Sequence, residues 1–276
     1  MTQPIQFAFS PCPNDTFSFH ALVHGRIPAG GFSVSAELAD VETLNQAARS
    51  GRYEMTKLSF AALGHLLDRY ALLRSGAALG RGCGPLIVAR PGFDPVRLAD
   101  APVAIPGDWT TAALLLGLYR NGPGPAAAMT FDQIMPAVAE GRFEAGVIIH
   151  EGRFTFPEYG LAEVVDLGQW WESETGLPIP LGGIAVRRDL GRTAAEVLEG
   201  AIRDSVSHAF AHPEESAEYV RAHAQEMAPE VVRRHIDLYV TEFSLDLGEE
   251  GEAAARGLFE RARGAGLLPD SSAPVY

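Results

Sequence analysis

The run Gly146-Val147-Ile148-Ile149-His150-Glu151-Gly152-Arg153-Phe154 places a histidine at the end of an apolar, β-branched stretch. Imidazole is the side chain whose ordinary titration lies nearest neutral pH, so a fixed histidine suits the taking and returning of protons. Read alone, His150 is equally well explained as a strand cap. Three other clusters offer groups that hold an anion or an oxygen-rich substrate. Thr56-Lys57-Leu58-Ser59 contains the single lysine among 22 basic residues, the rest being arginine. A lysine inside a short apolar run must reach solvent or meet an anion. Gly107-Asp108-Trp109-Thr110-Thr111 offers two hydroxyls, and Ser10-Pro11-Cys12-Pro13-Asn14-Asp15 an amide and a carboxylate. Ser59 and Thr110, taken singly, are as readily helix caps. Taken together, hydroxyls and free amides at helix starts, with one ammonium, form a receptor for a carboxylate.

Other chemistry is less well supported. His20 with His24, and His208 with His212, have the i, i+4 spacing that can place two imidazoles on one metal. Neither pair has a third ligand in view, and zinc needs three or four, so both read as solvated helix faces. Cys12 lies near a helix start, where thiols are acidified. No partner base is identifiable for it, and loop geometry is the expectation. Trp109, Trp170 and Trp171 could line an aromatic pocket but are more often core or rim residues. No phosphate-binding loop or dinucleotide fingerprint occurs.

The elements that must position these groups alternate between strand and helix. Ile5 to Phe9 reads as a strand, broken by two prolines, and Asn14 or Asp15 is expected to cap the helix that follows. Further strands are expected at Phe32–Leu38, Tyr53–Leu58, Leu72–Leu79, Pro85–Arg90, Pro102–Pro106, Met129–Phe131, Val164–Gly168 and Leu177–Arg187. Val147-Ile148-Ile149 lacks alternation, as in a strand buried on both faces of a parallel sheet. Helices are expected at Val41–Arg49, Ala112–Tyr119 and Ile134–Glu140. From Thr193, whose spacing to Glu196 suits a capping box, the chain reads as helical. All four motifs fall at strand ends, where open α/β sheets bind ligands.

This alternation predicts two α/β modules. Residues 1–91 and 184–276 should form one discontinuous lobe with C-terminal helices, and 92–183 a lobe inserted into it. Crossings near Ala89 to Pro95 and Pro180 to Ile184 would give a hinged, two-lobed clamp.

Bulk properties narrow the partners. The 276 residues, 47% hydrophobic and 21% charged, fit an ordinary globular enzyme with an ample core. A net charge of -13 argues against a nucleic-acid groove, but a local pocket can still take an anionic small molecule. No run is long enough to span a bilayer, and the first residues lack a secretory pattern. Cys12 and Cys83 are then expected to be free thiols of a cytoplasmic protein.

The stretch Ser10 to Phe17, with Thr56 to Ser59, Pro106 to Ala112 and His150 to Thr155, resembles the 1,4-dihydroxy-6-naphthoate synthase family of the futalosine route to menaquinone. The resemblance spans the chain. It implies the periplasmic-binding-protein type II fold, two lobes around a central cleft. It also implies that His150 is the proton acceptor, and that Lys57, Leu58, Ser59, Thr110 and Thr111 contact the substrate; Asn14 and Asp15 are expected beside them. The implied reaction is a carbon–carbon lyase step on a small anionic aromatic substrate. It opens cyclic dehypoxanthine futalosine to the dihydroxynaphthoate and a three-carbon sugar fragment, with no redox cofactor and no metal. Asp108-Trp109 departs from the less bulky or basic residues expected there. A chorismate dehydratase-like sister enzyme and a non-catalytic solute-binding protein of the same fold are the alternatives.

Overall fold

The computed structural model describes residues 2–224 and 228–276. The first stretch contains β1 (Gln3–Phe9), α1 (Pro13–Val23), β2 (Phe32–Leu38), α2 (Val41–Ala48), β3 (Met55–Ser59), α3 (Phe60–His65), β4 (Tyr70–Leu72) and β5 (Ala78–Gly80). The middle contains β6 (Leu86–Ala89), β7 (Val103–Ile105), α4 (Thr111–Tyr119), β8 (Ala126–Ala128), α5 (Phe131–Ala139), β9 (Ala145–Ile148), α6 (Gly152–Thr155), β10 (Ala162–Asp166) and α7 (Leu167–Thr175). Then follow β11 (Ile179–Arg187), α8 (Arg192–Ala211), α9 (Ala217–His223), α10 (Pro229–Tyr239), α11 (Glu242–Leu245) and α12 (Gly248–Gly264).

The strands form two sheets, the cores of two lobes. The first has the order β2-β1-β3-β11-β4, with β5 also on β11. Within it, β1 runs parallel to β2 and β3, and β11 antiparallel to β3, β4 and β5. Phe7 and Phe9 of β1 pack on Phe19 of α1, with ring centres 5.0 and 5.3 Å away. Helix α8 covers the same face through Leu198, Ile202 and Val206. The second sheet has the order β10-β6-β9-β7-β8. Every residue of β6 and β9 is buried, which explains their unbroken apolar character. That sheet is mixed rather than parallel: β9 is parallel to β7 but antiparallel to β6.

The lobe boundaries move from those expected. Strand β6 belongs to the second sheet, so the chain crosses between Gly80 and Leu86, not near Ala89 to Pro95. It returns between Asp166 and Ile179, because β11 pairs with the first sheet from Ile179 onward. Pro91-Gly92 is thus a turn within the inserted lobe and not its border. The crossings touch at Gly84 and Gly168, where a Cβ on either would overlap the other's backbone. Here glycine is required by close approach.

Smaller differences have local causes. Helix α1 starts at Pro13 with Cys12 as its unbonded cap, since the Asp15 carboxylate turns back to Ser10. Helix α8 follows Gly191 without a capping bond from Thr193. The predicted Leu72–Leu79 strand is two short ones, and the edge strand is Ala126–Ala128, with Phe131 opening α5. Among the described residues no helix is long and apolar enough to cross a membrane.

Candidate active site

The two lobes meet at a cavity of about 90 Å³ whose polar lining includes Asn14, Asp15, Lys57, Ser59, Thr110, Thr111 and His150. Seven of the eight predicted site residues therefore converge from four chain segments. Leu58 does not. Its side chain is 1% exposed and packs in the core, because alternate residues of β3 face opposite ways.

His150 lies two residues beyond β9, with φ of +55°. This left-handed backbone is unusual for a non-glycine residue. It turns the chain sharply into α6. The ring meets the edge of Phe131 at 5.2 Å between centres and lies nearly parallel to His235 at 6.1 Å. The Cys12 sulfur, from the opposite lobe, is 3.6 Å from Nδ1 and 3.8 Å from Nε2. Burial opposes protonation of this ring. The Cys12 sulfur, by charge and hydrogen bonding, and then Glu151 and Asp40 outweigh it and raise His150 to about 9.

The first-lobe wall is a chain of polar bonds. Lys57 Nζ donates to Asp15 Oδ1 at 2.6 Å, both side chains being almost fully buried. Asp15 Oδ2 accepts from the Ser10 amide and hydroxyl at 3.2 and 2.8 Å. Asn14 Nδ2 also donates to Asp15, at 2.8 Å, which leaves Asn14 Oδ1 facing His235 Nε2 at 2.9 Å. A carboxylate only accepts, so the amide nitrogen must face Asp15, and His235 must donate through Nε2. Its Nδ1 is then a buried lone pair without a protein partner among the described residues. Burial, then the charges of His150 and Lys57, hold His235 well below the ordinary histidine range.

Lys57 thus enters the cavity as an ion pair with Asp15, through one of the three donors of its ammonium. The hydroxyls are partly committed too. Thr110 Oγ1 donates to Gly107 O at 2.8 Å and accepts from the Ala113 amide, capping α4. Thr111 Oγ1 donates to Leu181 O at 2.7 Å and accepts from the Ala61 amide. Ser59 makes no cap bond; its Oγ accepts from Asn45 at 3.1 Å, and so keeps its own proton to give.

Two clasps hold the cleft. Asn45 Nδ2 of α2 donates to Trp109 O at 3.3 Å, and the Trp109 amide donates to Glu42 at 3.4 Å. Gly107, at φ of +151°, leaves room for Glu42 that a Cβ would fill. Trp109 stacks on His65 at 4.7 Å with Arg49 beside its ring, outside the cavity. Trp171 is core and Trp170 packs on Tyr119. The second clasp is Arg153, three residues past His150. It donates to Gly84 O at 2.7 Å and to Asp166 at 2.5 Å, touching both crossings.

Sequence reasoning missed Cys12 as the neighbour of His150, and missed His235 and Tyr239 altogether. The prolines on either side of Cys12 signalled a fixed loop, but nothing local signalled its partner 138 residues away. His235 lies on an amphipathic helix like any other. The rings of His20–His24 and of His208–His212 lie tilted against each other, 4.3 and 4.7 Å between centres, and no cluster of three metal-binding groups occurs among the described residues.

A family model described as menaquinone biosynthesis matches residues 5–264. The chain is 53% identical over 275 residues to a Thermus thermophilus protein named 1,4-dihydroxy-6-naphthoate synthase, covering 99% of each. It is 48% identical over 270 residues to a Streptomyces coelicolor protein of the same name, covering 96% of this chain and 95% of the other. Among solved structures, an Archaeoglobus fulgidus protein of 36% identity superposes with a TM-score of 0.90, covering 96% and 98%. The alkanesulfonate-binding protein of Xanthomonas axonopodis pv. citri superposes at 0.71 with 15% identity, covering 97% and 94%. The latter shows the fold alone, that of periplasmic binding proteins.

Proposed function

The chain belongs to the menaquinone biosynthesis family, and we propose that within it this protein is the carbon–carbon lyase that forms 1,4-dihydroxy-6-naphthoate from cyclic dehypoxanthine futalosine. The observation that carries the reading is the state of the ionisable groups lining the cavity. Asp15 and Lys57 are paired with each other. Burial pushes Cys83 up to about 12 and raises Tyr239 further. Among the described cavity-lining residues this leaves His150 as the group free to exchange protons. It is held at a strand end on a rigid sheet.

In the proposed reaction the neutral form of His150 takes a proton from the carbon beside the substrate ketone, so turnover should rise with pH toward about 9. The electron pair left behind expels the three-carbon fragment as the carbon–carbon bond breaks, and aromatisation drives the step. The imidazolium then returns its proton to the fragment, so no net proton is consumed. Ser59, which keeps a free hydroxyl proton, donates to substrate oxygen, and the α4 N-terminus at Thr110 and Thr111 favours the carboxylate. A solute-binding protein of the same fold would need the clamp but not a histidine placed in this way. Both cysteines are free, consistent with the reducing cytoplasm proposed as its compartment.

Purified protein incubated with cyclic dehypoxanthine futalosine should release the naphthoate absorbance and the three-carbon fragment in equal amounts. Binding without release would instead identify a capture protein, and no binding would remove the substrate assignment.

A further inference from the structure

Cys12 reaches His150 from the other lobe, and the fold goes to some length to hold it there. Pro11 and Pro13 fix the backbone on either side of it. Its carbonyl accepts from the Asp15 and Thr16 amides and the Thr16 hydroxyl, all within 3.1 Å. Its amide faces Ser10 Oγ, which Asp15 in turn holds. Since Lys57 is bound to that same carboxylate, the chain's single lysine indirectly anchors the Cys12 loop. Cys12 is the N-cap residue of α1, an 11-residue helix whose N-terminus favours an anion, although its sulfur makes no bond to the first turn.

We propose that Cys12 is the charge partner of His150, a positioning residue delivered across the cleft whose sulfur, acting through the ring, sets how many protons the ring carries when substrate is present. This rests on the lyase reading for its use in turnover, but not for its existence. Sulfur and ring share one proton. With that proton on sulfur, the ring has a lone pair and takes the substrate proton; the resulting imidazolium gives one back to the departing fragment. With the proton on the ring, thiolate and imidazolium form an ion pair, and the ring is a donor. Both forms hold the same atoms and charge, so no cofactor or oxidant enters. Cys12 and the ring are on different lobes, so the couple is assembled only when the cleft is shut, where water is excluded.

The charges facing the ring are few. Glu151 is adjacent in the chain, Asp40 caps α2, and His235 and Tyr239 come from α10. Glu151 and Asp40 raise the ring with Cys12, while His235 is neutral by burial. Removing the sulfur leaves burial as the larger influence.

Alkylation of the intact protein by iodoacetamide across pH, read at the Cys12 peptide by mass spectrometry, tests this without any turnover. Cys83 serves as an internal contrast, since burial keeps it protonated. At neutral pH Cys12 should be alkylated at least about tenfold faster in the parent than in His150→Asn, because the ring holds the sulfur's proton. Equal rates in the two proteins would overturn the proposal. Independently, the His150 ring in Cys12→Ser and in Cys12→Ala should titrate at least about one unit lower than in the parent by NMR. An unmoved ring in either folded variant would also overturn it. Coupled titration without turnover of the cyclic substrate would sink the lyase assignment and leave the couple standing.

Discussion

On the first-lobe wall His235 is fully buried and fixed in one tautomer by a chain of bonds that runs through Asn14 and Asp15 to Lys57. On the facing wall His150 sits in a left-handed backbone with a sulfur as its polar neighbour across the cleft. The rings lie 6.1 Å apart and nearly parallel, yet one is held neutral and the other raised to about 9. The difference teaches where this molecule places structure and where it places chemistry. The polar groups of the first wall are fixed by their bonds to one another, whereas the proposed proton carrier, His150, has the Cys12 sulfur as its polar contact.

The largest effect should come from breaking that chain of bonds. Lys57→Met leaves Asp15 buried and unpaired, at a cost of about 3–5 kcal/mol in denaturant unfolding. Adding Asp15→Asn should recover part of that loss. A single variant as stable as the parent would show that the first wall is not built on this pair.

Next comes His150→Asn, for which turnover should fall on the order of a hundredfold or more. Asparagine, like histidine, tolerates the left-handed region, so the variant should stay folded even without the stability that the raised ring contributes below about pH 9. Loss of fold with normal specific activity in the remaining protein would reverse the contrast between the walls.

Thr111→Val should be smaller. It strips the Leu181 carbonyl and the Ala61 amide of a buried partner, and about 1–3 kcal/mol of stability should go with them. Equal stability would mean that the hydroxyl faces substrate instead.

The smallest effect is on the pH dependence of stability, and here the two histidines should differ in sign. His235 is lowered in the folded protein, so its contribution is present above the ordinary value near 6.5 and is lost as pH falls below it. His150 is raised, so its contribution is complete below about 6.5 and disappears as pH rises through about 9. His235→Gln should flatten the acid side of the stability curve, and His150→Asn the alkaline side. Each slope is at most about 1.4 kcal/mol per pH unit. Slopes of the same sign would show that the walls are alike.

Local pattern made much of this legible. Val147-Ile148-Ile149 followed by His150 announced a buried strand with a polar residue at its end, and Lys57 stood out by composition alone. What pattern could not carry was partnership. The Asp15–Lys57 pair spans 42 residues, Cys12–His150 spans 138 and Asn14–His235 spans 221. Each depends on which elements neighbour one another, and so the carboxylate that pairs with Lys57 was not legible. The lobe borders failed for a related reason. Pro91-Gly92-Phe93-Asp94-Pro95 is the more conspicuous break, while the real crossing at Gly84 is marked by a backbone contact with Gly168 that no local signal reveals.

The left-handed backbone at position 150 also bears on how this protein could be improved. A left-handed conformation costs a non-glycine residue of order 1–3 kcal/mol. A library at this codon screened for heat tolerance above about pH 9, where the charge contribution of His150 is gone, should therefore enrich glycine over histidine. On the lyase reading proposed above, the winners would keep the clamp and lose the proton carrier, leaving a binder of its own substrate. Stability screens at this position should be run against turnover, because there the two selections point in opposite directions.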